Sequence, residues 1–131
     1  VDPLTSTIAG TVFLDLNNDG IQDLGEDGIA GVELVLSGID SLGNNVNATL
    51  ITDASGNYVF SNLAQGTYTI TETQPSPFRD GIETVGTGAT ATAADNVFSQ
   101  IALGADTDAS GFNFGELNQR FSKRRFLASS S

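Results

Sequence analysis

Seven short runs in this 131-residue chain alternate apolar and polar residues with a period of two, each bounded by Gly, Asn, Asp or Pro. They are Ile8–Leu14, Val32–Ser37, Ala48–Thr52, Tyr58–Asn62, Thr67–Thr73, Val97–Leu103 and Phe112–Glu116. Successive side chains of a strand point to opposite faces, so this alternation describes ribbons with one buried and one wet side. The clearest run, Thr67-Tyr68-Thr69-Ile70-Thr71-Glu72-Thr73, is dominated by β-branched and aromatic residues, which pack well on a pleated surface. Turn chemistry separates the runs at Asp40-Ser41-Leu42-Gly43-Asn44, Asp53-Ala54-Ser55-Gly56-Asn57 and Ala64-Gln65-Gly66. No stretch carries a convincing 3.6-residue apolar period. Seven short strands predict an all-β chain folded as a β-sandwich. Residues 81–96, rich in Gly, Ala and Thr, read as a long surface connection with room for one short edge strand.

The length suits a single core, and the composition narrows its chemistry. There is no Cys, Met or Trp and no His, which excludes disulfides, thiolate and imidazole catalysis, Cys/His zinc sites and haem ligation. No apolar run approaches the ~20 residues of a membrane helix. The chain has neither an initiator Met nor a charged-then-apolar leader, so it is expected to be a segment of a longer polypeptide whose targeting signal lies elsewhere. Residues 1–116 hold all 16 acids and only Arg79 as a base, a net charge of −15, whereas Arg120, Lys123, Arg124 and Arg125 crowd the end. Such an acidic body repels phosphate backbones, so no nucleic-acid partner is expected. The expected organisation is a domain over residues 1–117 and a basic, Ser-ended tail or linker over 118–131.

Carboxylates with almost no basic partners invite a cation. Residues 15–26 read Asp15-Leu16-Asn17-Asn18-Asp19-Gly20-Ile21-Gln22-Asp23-Leu24-Gly25-Glu26 and match D-x-[DN]-x-[DN]-G-x5-E at every specified position. A hard cation such as Ca2+ takes six to eight oxygens at about 2.3–2.6 Å, so a tight loop must turn alternate residues inward. On that spacing Asp15, Asn17 and Asp19 supply side-chain oxygens, and Gly20 permits the bend. Ile21 offers its carbonyl, Asp23 a carboxylate directly or through water, and Glu26 a bidentate carboxylate. The competing reading is a solvated acidic turn. Thr11-Val12-Phe13-Leu14 before the loop is β-like and Gly28-Ile29-Ala30-Gly31 after it is a poor helix, so the loop joins strands. With no helix pair to open, the expectation is a structural clamp and not a signalling switch.

The order Ile8-x-Gly10-x-Val12-Phe13-x-Asp15-x-Asn17-x-Asp19-Gly20-x-x-Asp23-x-Gly25-Glu26-x-Gly28-Ile29-x-Gly31-Val32 resembles the opening of the B domains of bacterial serine-aspartate repeat surface proteins. The likeness continues through Thr52-Asp53-x-x-Gly56-x-Tyr58-x-Phe60-x-x-Leu63-x-x-Gly66-x-Tyr68-x-Ile70-x-Glu72 to Gly111-Phe112-Asn113-Phe114-Gly115-Glu116, about residues 5–117. The resemblance implies a seven-stranded immunoglobulin-like, prealbumin-type β-sandwich stabilised by calcium, a stiff spacer in secreted or cell-surface proteins, joined to neighbouring domains of the same chain. It also implies that more than one ion can bind; Asp53, Asp95, Asp106 and Asp108 are the candidates for a further site, with solvated loop acids as the alternative. Tyr68-x-Ile70-x-Glu72 resembles in part the E-box of collagen-adhesin B-type domains, although Ser76 stands where a proline is expected and Pro75 comes one residue early. In those domains the Glu assists a Lys–Asn isopeptide bond. Here the single lysine, Lys123, lies in the tail, so no such crosslink is expected and Glu72 reads as an ordinary strand residue. Calcium is then the remaining staple. For a dissociation constant of ~0.1 mM in ~1 mM calcium, linkage adds roughly 1.4 kcal/mol, against a total stability of ~5–15 kcal/mol.

Other signals are weaker. Gly86-Thr87-Gly88-Ala89-Thr90-Ala91 lacks the βαβ setting of a dinucleotide site, and Asn47-Ala48-Thr49 is a glycosylation sequon only in a suitable secretory context. Glu72 with Glu83, or Asp95 with Asp106, could pair as acid and base, but a sandwich this small offers little cleft, and no enzymatic activity is expected. The stretch Arg120–Leu127 mixes cations with Phe121 and Phe126 and reads as a basic linker, with contact to anionic lipid or glycan as the alternative. Two functions stand side by side: a calcium-rigidified spacer, or a binding module that recognises an extracellular protein or glycan through loops or a sheet edge. Seven of the ten aromatics (Phe13, Tyr58, Phe60, Tyr68, Phe98, Phe112 and Phe114) fall on the expected strands, where core packing is the default, which favours the spacer.

Overall fold

The computed structural model of the chain describes residues 4–75 and 78–117. Its strands are β1 (Ser6–Leu14), β2 (Glu33–Asp40), β3 (Asn45–Ile51), β4 (Asn57–Leu63), β5 (Gly66–Glu72), β6 (Arg79–Thr84), β7 (Thr90–Ala94), β8 (Val97–Leu103), β9 (Asp108–Ala109) and β10 (Asn113–Leu117). One sheet runs β4-β1-β10-β6, with β9 paired to β1 as well; the other runs β3-β2-β5-β8-β7. β1 pairs antiparallel with β4 on one side and parallel with β9 and then β10 on the other. The result is an all-β, immunoglobulin-like sandwich, and the described residues contain no helix.

Alternation selects the inner faces as expected. Ser6, Ile8, Gly10 and Val12 are buried on β1, Leu34 and Leu36 on β2, and Tyr68, Ile70 and Glu72 on β5. All seven strand-assigned aromatics are buried. Phe98 sits at their centre, with its ring 4.7 Å from Phe114 and 5.4 Å from Phe112, while Tyr58 lies 6.4 Å from Phe114. Each such ring pair adds about 0.5–1.5 kcal/mol beyond simple burial. The phenol of Tyr58 is carried into the core because its hydroxyl donates to the Phe112 carbonyl at 2.6 Å, and burial pushes its pKa upward.

The strand count differs from the expected seven: there are ten among the described residues. The additions are β6, β7 and the two-residue β9, and the supposed connection over residues 81–96 supplies most of the first two. β6 and β7 each form one edge of their sheet, opposite β4 and β3, and each is bonded to one neighbour. An edge strand needs little apolar alternation and is safer with polar residues, so Arg79-Asp80-Gly81-Ile82-Glu83-Thr84 and Thr90-Ala91-Thr92-Ala93-Ala94 carry little of the expected pattern.

The acidic loop is held by β10 at its start and by β1 at its end. The Asp15 N–H donates to the Glu116 carbonyl at 2.8 Å, continuing the β1–β10 pairing by one residue. After Glu26 the chain returns along β1: Leu14 N–H donates to the Asp27 carbonyl at 2.9 Å, and Ile29 N–H to that of Val12 at 2.8 Å. Residues 118–131, including the basic linker expected there, lie outside the described residues.

Candidate metal centre

Asp15 anchors the loop. It is fully buried, its Oδ2 accepts the Gly20 N–H at 2.7 Å, and its Oδ1 accepts the Asp19 N–H at 3.2 Å. Glu26 closes the loop on its own beginning: Oε2 accepts from Leu16 N–H at 2.9 Å and Oε1 from Asp23 N–H at 2.8 Å. Asp19 Oδ1 accepts the Ile21 N–H at 2.9 Å. The Asn17 amide donates to Asp19 Oδ2 at 3.2 Å and to Asp23 Oδ2 at 3.1 Å, drawing Asp23 to the rim. Gly20 makes the bend at φ +79°, in the left-handed region that favours glycine, and its carbonyl accepts from Thr84 Oγ1 at 2.6 Å. That bond seats the loop against edge strand β6.

Of the six expected ligands, Asp15, Asp19 and Glu26 each place a carboxylate oxygen within 4.8 Å of the others. Asn17 and Asp23 border this group, whereas Ile21 has an exposed side chain and meets the group through its N–H. Burial raises the Asp15 pKa, and the neighbouring charges of Glu26 and Asp19 raise it further. The Ile21 N–H, foremost among several donors, lowers that of Asp19. Backbone donors thus orient an all-oxygen, strongly negative donor set, which is the kind a hard divalent cation prefers. The residues fit calcium in type and spacing.

The four acids expected to form a further site do not converge. Asp53 Oδ1 caps its own turn, accepting from Ser55 N–H and Asn57 N–H at 2.9 Å each. Asp106 accepts from the Thr5 hydroxyl, and Asp108 from that of Thr7 at 3.0 Å. Solvated or locally bonded loop acids satisfy their charge without one another, and each of these three has found a nearby donor. Only Asp95 joins other carboxylates, those of Asp80 and Glu83.

Glu72 also departs from its expected role. It is 3% exposed and lies with Asp80 and the wholly buried Glu116 in a second carboxylate group. Asp80, Glu83 and Glu116 lie outside the spacing pattern of residues 15–26. A signal for two of the group is present all the same: Tyr68-x-Ile70-x-Glu72 and Phe112-x-Phe114-x-Glu116 each carry a core-facing alternation onto a glutamate.

The SdrD B-like domain model matches residues 6–117, nearly the whole described fold. The chain belongs to the SdrD B-like domain family. This B-like domain is 43% identical over 74 residues to serine-aspartate repeat-containing protein F of Staphylococcus epidermidis, a match covering 56% of the chain and 4% of that protein. It is 40% identical over 76 residues to serine-aspartate repeat-containing protein C of Staphylococcus aureus, covering 58% and 8% respectively. The domain therefore spans a small fraction of the relatives it matches. Among solved structures, the full-length major pilin SpaD of Corynebacterium diphtheriae superposes with a TM-score of 0.50 at 12% identity, over 86% of this chain and 32% of that one. At that identity the likeness concerns the fold alone.

Proposed function

We propose that this B-like domain is a calcium-stabilised, non-catalytic spacer of a secreted or cell-surface bacterial protein, joined to neighbouring domains of its own chain. The observation that carries the reading is the loop over residues 15–26, where a complete cation-loop pattern coincides with three converging carboxylates, one of them fully buried. Calcium would be held by Asp15, Asn17, Asp19, Ile21, Asp23 and Glu26, and would supply the positive charge that this acidic fold lacks. The start of the loop is bonded to β10, its end to β1 and its bend to β6, so a bound ion stiffens one sheet together with its edge. Family membership supports a repeat-protein setting. The experiment is calcium titration by isothermal calorimetry on the native chain and on Asp15→Asn/Asp19→Asn. Saturable heat that falls by one binding step in the variant supports the clamp, and equal heats in both remove it.

The alternative is a binding module for an extracellular protein or glycan. The buried aromatics leave few rings for a sugar platform, which favours the spacer. Specific, reproducible capture on a glycan array or by a purified matrix protein would reverse the preference.

A further inference from the structure

Four strands close the two sheets: β4 and β6 in one, β3 and β7 in the other. A closing strand presents unpaired N–H and C=O groups along its free side, a template for a further strand unless charge, brevity or a bulge spoils it. Three of the four carry such a device. β6 bears Arg79, Asp80 and Glu83, and its register against β10 slips between Phe114 and Glu116. β7 is five residues long and slips against β8 between Thr90 and Thr92. β4 slips against β1 between Ser6 and Ile8, and its Asn62 takes φ +58°, in the left-handed region.

β3 has none of these. Its seven residues, Asn45-Val46-Asn47-Ala48-Thr49-Leu50-Ile51, hold an unbroken register against β2, from Ile51 opposite Glu33 to Asn45 opposite Ile39. They include no charge, no Gly and no Pro, on a body that carries −15. Their side chains alternate strictly. Asn45, Asn47, Thr49 and Ile51 are exposed, whereas Val46, Ala48 and Leu50 pack against the core and are still only half-buried. The neutral zone continues inward from the edge. Beside the four exposed residues stand Glu33, Val35, Ser37 and Ile39 of β2, and beyond these Thr67, Thr69 and Thr71 of β5, with Glu33 as the one acid. An apolar flank left half-covered beside an open, uncharged edge is what a further strand would complete.

We propose that β3 is a docking edge for a second copy of this chain, pairing antiparallel with that copy's β3 and joining two five-stranded sheets into one. Self-pairing centred on Ala48 sets Ala48 opposite its own copy, Asn47 opposite Thr49, Val46 opposite Leu50 and Asn45 opposite Ile51. The strand is therefore self-complementary. Its smallest side chain lies on the two-fold axis, amide–hydroxyl pairs face outward, and Val–Leu pairs close the half-covered flank on both sides of the axis. Charge favours this occupant. A basic segment would find no carboxylate along β3, whereas a neutral copy of the strand meets no acid within the pair. Glu33 of one copy and Asp40 of the other stand three strand spacings apart, ~14 Å, beyond the Debye length of ~8 Å at physiological salt. The pairing uses no residue of the cation loop and stands whether or not calcium binds there.

The test is sedimentation velocity on the full 131-residue chain over a rising concentration series, at physiological salt with calcium. The expected result is a monomer–dimer equilibrium with no larger species, because two-fold pairing uses up each β3 edge. Hydrogen exchange locates the contact: amides within residues 45–51 should slow as the concentration rises, and those of β7 should not. Two variants of exposed residues, each checked for β-structure by circular dichroism, read the register. Asn47→Lys/Thr49→Lys sets lysines opposite each other on both sides of the axis and should weaken the dimer about tenfold or more. Asn47→Lys/Thr49→Asp sets Lys opposite Asp and should restore the affinity to within about threefold. A native chain that stays monomeric at every concentration overturns the proposal. So does a dimer whose slowed amides lie outside β3, or one whose affinity is unchanged in folded Asn47→Lys/Thr49→Lys. If the lysine pair misfolds, exchange on the native chain decides alone.

Discussion

The Asp15 N–H donates to the Glu116 carbonyl at 2.8 Å, so the first residue of the cation loop is bonded to the backbone of a glutamate in the second acidic cluster. Gly115, the residue before Glu116, leaves room for this approach: a Cβ there would come within 3.1 Å of Asp15 Oδ2 and 2.9 Å of the Ile82 carbonyl. Two charge-rich regions are therefore adjacent through β10 while drawing their carboxylates from different elements.

Calcium should raise the melting temperature of the native chain. At ten times the dissociation constant one site adds roughly 1.4 kcal/mol, or about 5 °C for a domain of this size. Differential scanning calorimetry in calcium and in chelator checks this. Asp15→Asn/Asp19→Asn should remove the loop's share of the difference, and an identical calcium shift in that variant would count against the loop as a site.

Gly20→Ala should destabilise the fold by about 1–2 kcal/mol, because it forces an L side chain into the left-handed region. The new Cβ would also stand 2.9 Å from Ile82 Cγ2 and Thr84 Oγ1, pressing the loop off β6. Chemical denaturation in chelator reads the stability loss, and calorimetry the accompanying fall in calcium affinity. A variant as stable as the native chain would mean that the bend is made elsewhere.

In chelator, stability should fall as the pH rises from about 5 to 8. Glu83 is pushed up to about 8 and Glu72 to about 11, from an ordinary value of 4.5, chiefly by burial. A carboxyl whose pKa is higher in the folded state binds more protons there than in the unfolded chain. Its contribution is therefore complete below the unfolded pKa and is lost as the pH climbs toward the folded one. Melting temperatures at several pH values in EDTA should trace this decline, with the Glu83 share complete near pH 8 and the Glu72 share continuing above it. Glu72→Gln/Glu83→Gln should flatten it, and a stability that rises across the same window would contradict the burial of these groups.

Phe98→Ala should cost about 3–5 kcal/mol, as large-to-small changes in close-packed cores do. Its ring touches both Phe112 and Phe114 and so joins β8 of one sheet to the terminal segment of the other. Urea denaturation gives the value. A loss under about 1 kcal/mol would show that the core refills the cavity.

Local pattern carried much of this fold. The β-branched alternation of Thr67–Thr73 and the asparagine- and glycine-rich turns are short-range signals, and they mark seven of the ten strands and their buried faces. The same holds for the spacing of Asp15, Asn17, Asp19, Gly20, Asp23 and Glu26, which is legible because all six lie within one turn of chain. β6 and β7 carry little of that signal: unlike the edge strands β3 and β4 they show no sustained alternation, and they are defined by the neighbour they bond to more than by their own side chains.

The residues alone determined a two-faced β-chain with an acidic loop, because periodicity and turn chemistry act over a few neighbouring positions. Which distant acids meet was decided only by the tertiary structure. Glu72 and Glu116 stand 44 positions apart and on different sheets, and the pairing of β5 with β8 and of β10 with β1 and β6 is what carries both to the same end of the core. Strand pairing converts separation along the chain into contact, and no local pattern encodes its outcome.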